Sequence, residues 1–491
     1  MKVRELVSHF FLFTFCFATS VLGTINESAF TASDIITRDV VIIGGGSSGT
    51  YTAIRLQQLG KSVALIERKS ILGGHVDTFY DPITRQTFDF GVVLFENISV
   101  VTNYFAHLDV ELAKFSSLGV TVQSFADITK MEKLTNASLP SPNATAAALT
   151  KFGEILNKYP YLYNGFNDLQ YPVPEDLLLP FGDFMEKYQL NALAYQVMGF
   201  LQGGGNLLNQ TSLYVMKYLA KIVGNFLKDN FLTTAAHDNH ELYVRALERL
   251  GPNENAFVNA SVTEIERCDT NYAYSGHDQG SASIDECDTP VNVVFNIQSG
   301  AKLVKASQLV IAIPPLLENL QFLDLSSEER SLFGQFGNTY YWDAVVRNSG
   351  IPRNTSISNF DPNAPSGLPR LPGIYDIGPS GVKDLDIVYY GSPYPVENVE
   401  VANDIMDKIA GLVKVYNFPP NRKKPELVGF HDHRPYGLFV SAEVIKNGFY
   451  KNLLVLQGRR NTYYTGAAWQ VHDSSRIWNW TEMNIIPKLS S

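Results

Sequence analysis

The residues with the clearest chemical meaning in this 491-residue chain are glycines. Gly44-Gly45-Gly46-Ser47-Ser48-Gly49 follows a β-branched run, Val40 to Ile43, and leads into Ala53, Ile54, Leu56 and Leu59 at helical spacing, with Gly60 ending the helix. Ser62 to Ile66 then reads as a second strand that stops at Glu67. Strand, glycine turn, helix and strand in this register form a βαβ unit that binds a dinucleotide. Gly44 permits the tight turn, Gly46 lets backbone amides approach a pyrophosphate, and Gly49 lets the helix pack against the strand. Ser47 and Ser48 open the helix, whose N-terminus carries partial positive charge. Glu67, with Arg68 beside it, stands where a carboxylate accepts hydrogen bonds from both hydroxyls of an adenosine ribose and disfavours a 2′-phosphate. NAD and FAD both satisfy this unit.

The downstream residues narrow the choice. Leu72-Gly73-Gly74-His75-Val76-Asp77-Thr78 comes directly after the ribose acid, followed by Phe88-Asp89-Phe90-Gly91. Leu309-Val310-Ile311-Ala312-Ile313-Pro314-Pro315 is a second buried-strand signal with an exit turn, and Tyr464-Thr465-Gly466-Ala467-Ala468 lies near the end. In this order of motifs the chain resembles the flavin-containing amine oxidase superfamily, and within it the fungal β-cyclopiazonate dehydrogenase-like branch. The resemblance implies FAD, held by Gly44, Gly46, Ser47, Ser48, Gly49, Glu67, Arg68, Gly73, Gly74, His75, Asp89, Gly91, Val262, Gly466 and Ala467. Val262 falls in the stretch that matches the strand on the adenine side. The branch implies oxidation of a small organic substrate, such as oxidative ring closure in specialised metabolism, with O2 as acceptor.

Flavin chemistry needs a protein to orient a bond, tune the ring and manage one proton. His75 stands where the amine oxidase pattern often has Arg, and three roles are open to it: covalent attachment to the flavin 8α carbon, noncovalent contact, or structure. Tyr464 and His472 are the other catalytic candidates, with Tyr463 and Trp469 as further aromatics able to wall an amine or indole substrate. His431-Asp432-His433 places two imidazoles on one strand face, but with no third His or Cys near and Arg434 adjoining, no metal is expected. The lysine that many amine oxidases carry near the flavin has no clear equivalent; Lys217 and Lys302 are the possibilities.

These motifs imply an α/β (α+β overall) fold, with a Rossmann-type FAD-binding domain interleaved with a mixed sheet and helical substrate domain. The FAD-binding parts are expected at 36–96, 238–316 and 450–491, and the substrate domain at 97–237 and 317–449. Residues 111 to 235 read as helical with little β signal, and 340 to 446 as turns and short strands. A helical lid over a sheet floor would then enclose the substrate.

At 45% apolar residues the chain can bury a large core, and a net charge of −10 disfavours nucleic acid as a partner. Lys2, Arg4 and the apolar stretch Phe10 to Ala18 read as an export signal over 1–23, leaving no membrane span in the mature chain. Eight Asn-x-Ser/Thr sequons agree with export. Asn136 and Asn143 are the preferred N-glycan sites because Leu134 to Thr150 reads as an exposed loop. Cys268 and Cys287 remain after cleavage, either as a disulfide closing a polar loop or as two free thiols. The expected protein is a secreted FAD-dependent oxidoreductase; a redox-neutral fatty acid double-bond isomerase is the alternative.

Overall fold

The computed structural model describes residues 25–115, 120, 122–135, 137, 139–228, 230–268, 289–419 and 423–490. The expected signal segment and Asn136 lie outside these residues. Strand β1 (Ile35–Ile43), helix α1 (Ser47–Gln58) and strand β2 (Val63–Ile66) form the expected βαβ unit. Val40 to Ile43 and Val63 to Ile66 are buried, as a β-branched run covered on both faces must be. Gly60, at φ +81°, turns the chain out of α1 at no steric cost.

The seven-stranded sheet around β1 draws on distant stretches of chain. Its path runs Ala256–Phe257, β2, β1, Gly300–Ile311, Val291–Ile297 and Ser261–Arg267, with Thr462–Tyr464 also on Gly300–Ile311. Ile43 registers with both Ile66 and Ile311, and Ile311 with Tyr464, all in parallel. Four strands therefore end at one edge, where an open α/β sheet binds its ligand.

A second sheet of eight strands follows the path Glu426–Asp432, Gly337–Arg347, Leu385–Ser392, Gly373–Pro379, Thr355–Asn359, Val122–Asp127 and Glu132–Leu134, with Tyr436–Phe439 also on Gly337–Arg347. Three sequence expectations change here. Residues 111 to 235 contribute the strands Leu112–Lys114, Val122–Asp127, Glu132–Leu134 and Phe231–Thr234, which are short and partly exposed and so lack an apolar alternation. Residues 340 to 446 contain an eighteen-residue helix, Asn398–Val415, whose Val401, Ile405, Ile409 and Leu412 are fully buried. Residues 142 onward are a helix, Pro142–Leu156, capped by the Ser141 side chain, instead of a loop; Asn143 is exposed in its first turn. Cys268 is disulfide-bonded, and Cys287 lies outside the described residues. Among the described residues no helix is long and apolar enough to cross a membrane.

Candidate flavin and substrate site

At the shared sheet edge the glycine loop is fixed by its own contacts. Gly44 has φ +103°, and its N–H donates to Ile66 O at 2.9 Å. A Cβ on Gly49 would fall 1.9 Å from Gly44 O, inside any permissible contact. Gly46 differs: a Cβ there meets nothing closer than 3.7 Å, so the chain itself does not require a glycine at that point. Gly46 is also the N-cap of α1, with no side-chain cap and no acidic residue in the first turn. The first amides of α1 and its dipole are thus left for an anion, and the bare Gly46 backbone leaves room for one to approach.

Of the other expected cofactor residues, Gly73, Gly74, Glu67 and Gly466 lie around this turn. Gly73 donates to Gly45 O at 2.8 Å, and a Cβ on Gly74 would press on Gly46 Cα at 3.0 Å. A Cβ on Gly466 would lie 3.4 Å from Ser48 Oγ, which brings the C-terminal segment over the helix start. Ser47 Oγ donates to Ser474 Oγ at 2.9 Å and ties α1 to the helix Ser474–Asn484. Glu67 accepts hydrogen bonds from Gly45 N and Lys69 N, both at 2.7 Å, and Arg68 beside it is exposed. A Cβ on Gly91 would meet His75 O at 2.4 Å, so the two flavin-motif segments touch through bare backbone. Val262 is half-buried next to a β-bulge. Asp89 joins Thr78 Oγ1 (2.5 Å) to Asn239 N (2.8 Å), and burial raises its carboxyl to about 7. It ties the two segments together.

Beside the cradle lies a cavity. The helix Ser212–Leu219 contributes Tyr214 and Lys217 to its lining, the strand Tyr436–Phe439 contributes Tyr436, and the C-terminal segment contributes Ala467, Gln470 and His472. His472 stacks on Tyr436 at 4.2 Å, and among the described residues its Nε2 has no hydrogen-bond partner. Burial, then Lys217 and His433, hold this imidazole down at about 3, so it is neutral. His75 lies 4.8 Å from the His433 ring and 6.2 Å from that of His472. Burial and these same rings, with Lys69, push His75 well below its ordinary range.

Of the H-x-H pair, His433 is the inner member. Its Nε2 contacts Asp343 Oδ2 at 2.7 Å, while His431 Nδ1 contacts Asp77 Oδ1 at 2.5 Å and stays partly exposed. Burial works against a charge on His433, yet Asp343 and Asp77 hold it above its ordinary range. The third ligand group that the sequence lacks near the H-x-H pair is supplied in space, where Asp77 and Asp343 bring carboxylate oxygens within 4.8 Å of a His431 nitrogen. Two His–Asp contacts account for these four side chains.

Tyr464 is placed in the core instead of the cavity. Its Oη donates to Glu329 Oε1 at 2.5 Å, and the ring stacks on Trp469 at 5.3 Å. Pairing of Thr462–Tyr464 with Gly300–Ile311 turns it toward the buried Arg267–Glu329 pair. Lys302 pairs with Asp34 at 2.7 Å, away from the cavity, whereas Lys217 lines it. Lys217 had a legible signal: a single lysine among Leu213, Val215, Met216 and Leu219 on an apolar helix. The buried Arg476–Glu96 pair (2.8 Å) beneath it had none, since the partners are far apart in sequence.

The chain is similar over almost its whole length to fungal flavoenzymes. It is 39% identical to the FAD-dependent oxidoreductase oblC of Cochliobolus heterostrophus, over 95% of this chain and 94% of that one. It is 32% identical to the beta-cyclopiazonate dehydrogenase of Aspergillus oryzae, over 92% and 93%. The chain belongs to this family of FAD-dependent oxidoreductases. A family model described as an NAD(P)-binding Rossmann-like domain matches residues 42–108, the stretch that carries the glycine loop. Among solved structures, the oxidoreductase shares its fold with the CLA-producing fatty acid isomerase from P. acnes (TM-score 0.69, 19% identity, 91% of this chain and 97% of that one). It also shares the fold of cyclohexylamine oxidase from Brevibacterium oxydans (TM-score 0.60, 14% identity, 92% and 98%). These two likenesses show the fold, and the uncapped helix start and open Gly46 fit the pyrophosphate of FAD.

Proposed function

We propose that this FAD-dependent oxidoreductase removes a hydride and a proton from a small organic substrate in the cavity, with dioxygen taking up two electrons and two protons to give hydrogen peroxide. The observation that carries this reading is the neutral His472 in the cavity lining, a few residues after Gly466 and Ala467, whose buried Nε2 has no hydrogen-bond partner among the described residues. Bound FAD supplies the two-electron acceptor. Tyr214 and Tyr436 offer flat apolar walls, and a neutral imidazole can accept a hydrogen bond from a substrate N–H or O–H and so fix its orientation. Attachment of the flavin through His75 is a narrower form of the proposal, supported by an imidazole held neutral, the nucleophilic state. Oxidative ring closure in specialised metabolism is the reaction type favoured, by likeness to the beta-cyclopiazonate dehydrogenases. Export and N-glycosylation belong to the same proposal, with support from the bonded Cys268 and the exposed Asn143.

The test begins with the absorption spectrum of the purified protein before and after acid precipitation. Yellow colour that stays with the precipitate, and is lost in His75→Ala, supports the covalent form; colour in the supernatant rejects it. Protein bleached with dithionite should recolour in air and release peroxide, and a reduced flavin stable in air overturns the oxidase reading. Product mass then separates oxidation, with loss of two hydrogens, from isomerisation, with no change.

A further inference from the structure

One buried amine has no role in that reading. Lys217 is only 2% exposed, and its Nζ lies 4.2 Å from the centre of the Phe166 ring. Among the described residues no carboxylate forms an ion pair with it. Arg476 Nη1 donates to the Lys217 backbone carbonyl at 2.8 Å, and Arg476 is itself paired with Glu96. Burial, and then Arg476, hold the Lys217 amine well below its ordinary range. A lysine buried without a partner is costly, and such groups concentrate where a ligand completes them.

The rest of the cavity defines what that ligand is. Neither Asp nor Glu lines it; its polar groups are Lys217, His472, glutamine amides and tyrosine hydroxyls. A substrate ammonium would meet Lys217 and no carboxylate in this lining, although the fold is that of an amine oxidase. An acidic group meets the opposite situation. Its proton passes to Nζ, and ammonium and anion then pair in an apolar surround where such a pair is strong.

We propose that Lys217 anchors an acidic group, a carboxylate or acidic enol, on an otherwise apolar or aromatic substrate of the reaction proposed above, and the inference rests on that reading of the cavity. The preference for acids over amines separates this cavity from an aromatic cage for amines.

Indole-3-acetate, indole-3-acetamide and tryptamine are nearly matched in shape and differ in charge. Each is titrated against the holoenzyme, with perturbation of the visible flavin spectrum as readout and calorimetry as a second. The acid should bind more tightly than the amide by on the order of thirty-fold or more, as for a buried charge pair against a neutral partner. Tryptamine should bind weakest. Lys217→Met should erase the acid-over-amide ratio while leaving amide affinity in place. Lys217→Gln should do the same where the methionine variant fails to fold, and the wild-type ratio decides the matter if both fail. Equal binding of acid and amide, no binding of the acid, or a ratio that survives either substitution overturns the proposal. So does a change in flavin potential in the variants with no change in the ratio, which would assign the amine to the cofactor. Dithionite bleaching and recolouring in air, done without ligand, tests the oxidase reading separately.

Discussion

The glycine cradle and the cavity beside it are built by opposite means. The cradle is mainly backbone, and its positions 44, 46, 49, 73 and 74 fall within one short stretch whose strands end in register. The cavity and its histidine cluster are side chains from four distant stretches: His75, the Ser212–Leu219 helix, His433 with Tyr436, and His472. Backbone recognition tolerates no substitute for glycine, so it is rigid and conspicuous. Side-chain recognition can be met by many residue types, so it can change substrate while the cradle stays fixed.

The sharpest way to break the cradle is Gly49→Val. The first carbon of any side chain would stand 1.9 Å from Gly44 O, a backbone atom that cannot rotate away, with Ala312 Cβ at 3.1 Å behind it. Helix α1 must move off the sheet, and its amides with it. The expected result is near-complete loss of bound FAD, read as the ratio of visible to ultraviolet absorbance, in protein that keeps far-ultraviolet helical signal. Retention of stoichiometric flavin would show that the cradle is not fixed by this contact.

His472 tests the cavity side through pH. In the unfolded chain it titrates near 6.5; in the folded chain burial, Lys217 and His433 hold it at about 3. Between these values the unfolded state binds more protons, so stability falls as pH drops from about 6.5 toward about 3. His472→Gln removes this contribution, and denaturation midpoints of the variant should fall less steeply across that window and run parallel to wild type above it. Asp89, raised to about 7, works in the opposite direction over part of the range, but it is present in both proteins and cancels in the comparison. Parallel curves throughout would mean that the folded imidazole charges freely.

What could be read in the sequence follows the same division. Gly44 to Glu67 was legible because turn, helix and strand are local, Gly44 and Gly49 have steric causes in the chain, and Gly46 leaves room for a ligand. The helix Asn398–Val415 was missed, although Val401, Ile405, Ile409 and Leu412 keep a helical spacing, because the turn-rich residues around it dominate the segment. The strand Val122–Asp127 was not legible, because it is paired with Thr355–Asn359 and only its last two residues are buried. His433 differs from His431 only in which imidazole turns inward, and that depends on Asp343 from another strand. Lys217 could be named from sequence, but its lack of a counter-charge appears only when Arg476 and Glu96 are seen to satisfy each other.

Tyr464 gives the smallest effect and a direct discrimination between the two regions. Its sequence position, two residues before Gly466, suits a substrate wall, while its hydroxyl is bonded to Glu329 in the core. Arg267 Nη1 also contacts Glu329 at 2.7 Å, and Ser326 N donates to it at 2.7 Å, so loss of the hydroxyl leaves the carboxylate largely satisfied. Tyr464→Phe should therefore lower unfolding free energy by about 1.5 kcal/mol, the lower end for a hydrogen bond to a charged group. Flavin content and the acid-over-amide binding ratio should stay at wild-type values. The opposite pattern, unchanged stability with altered ligand binding, would move Tyr464 from the core side of the comparison to the cavity side and require its strand to present a different face.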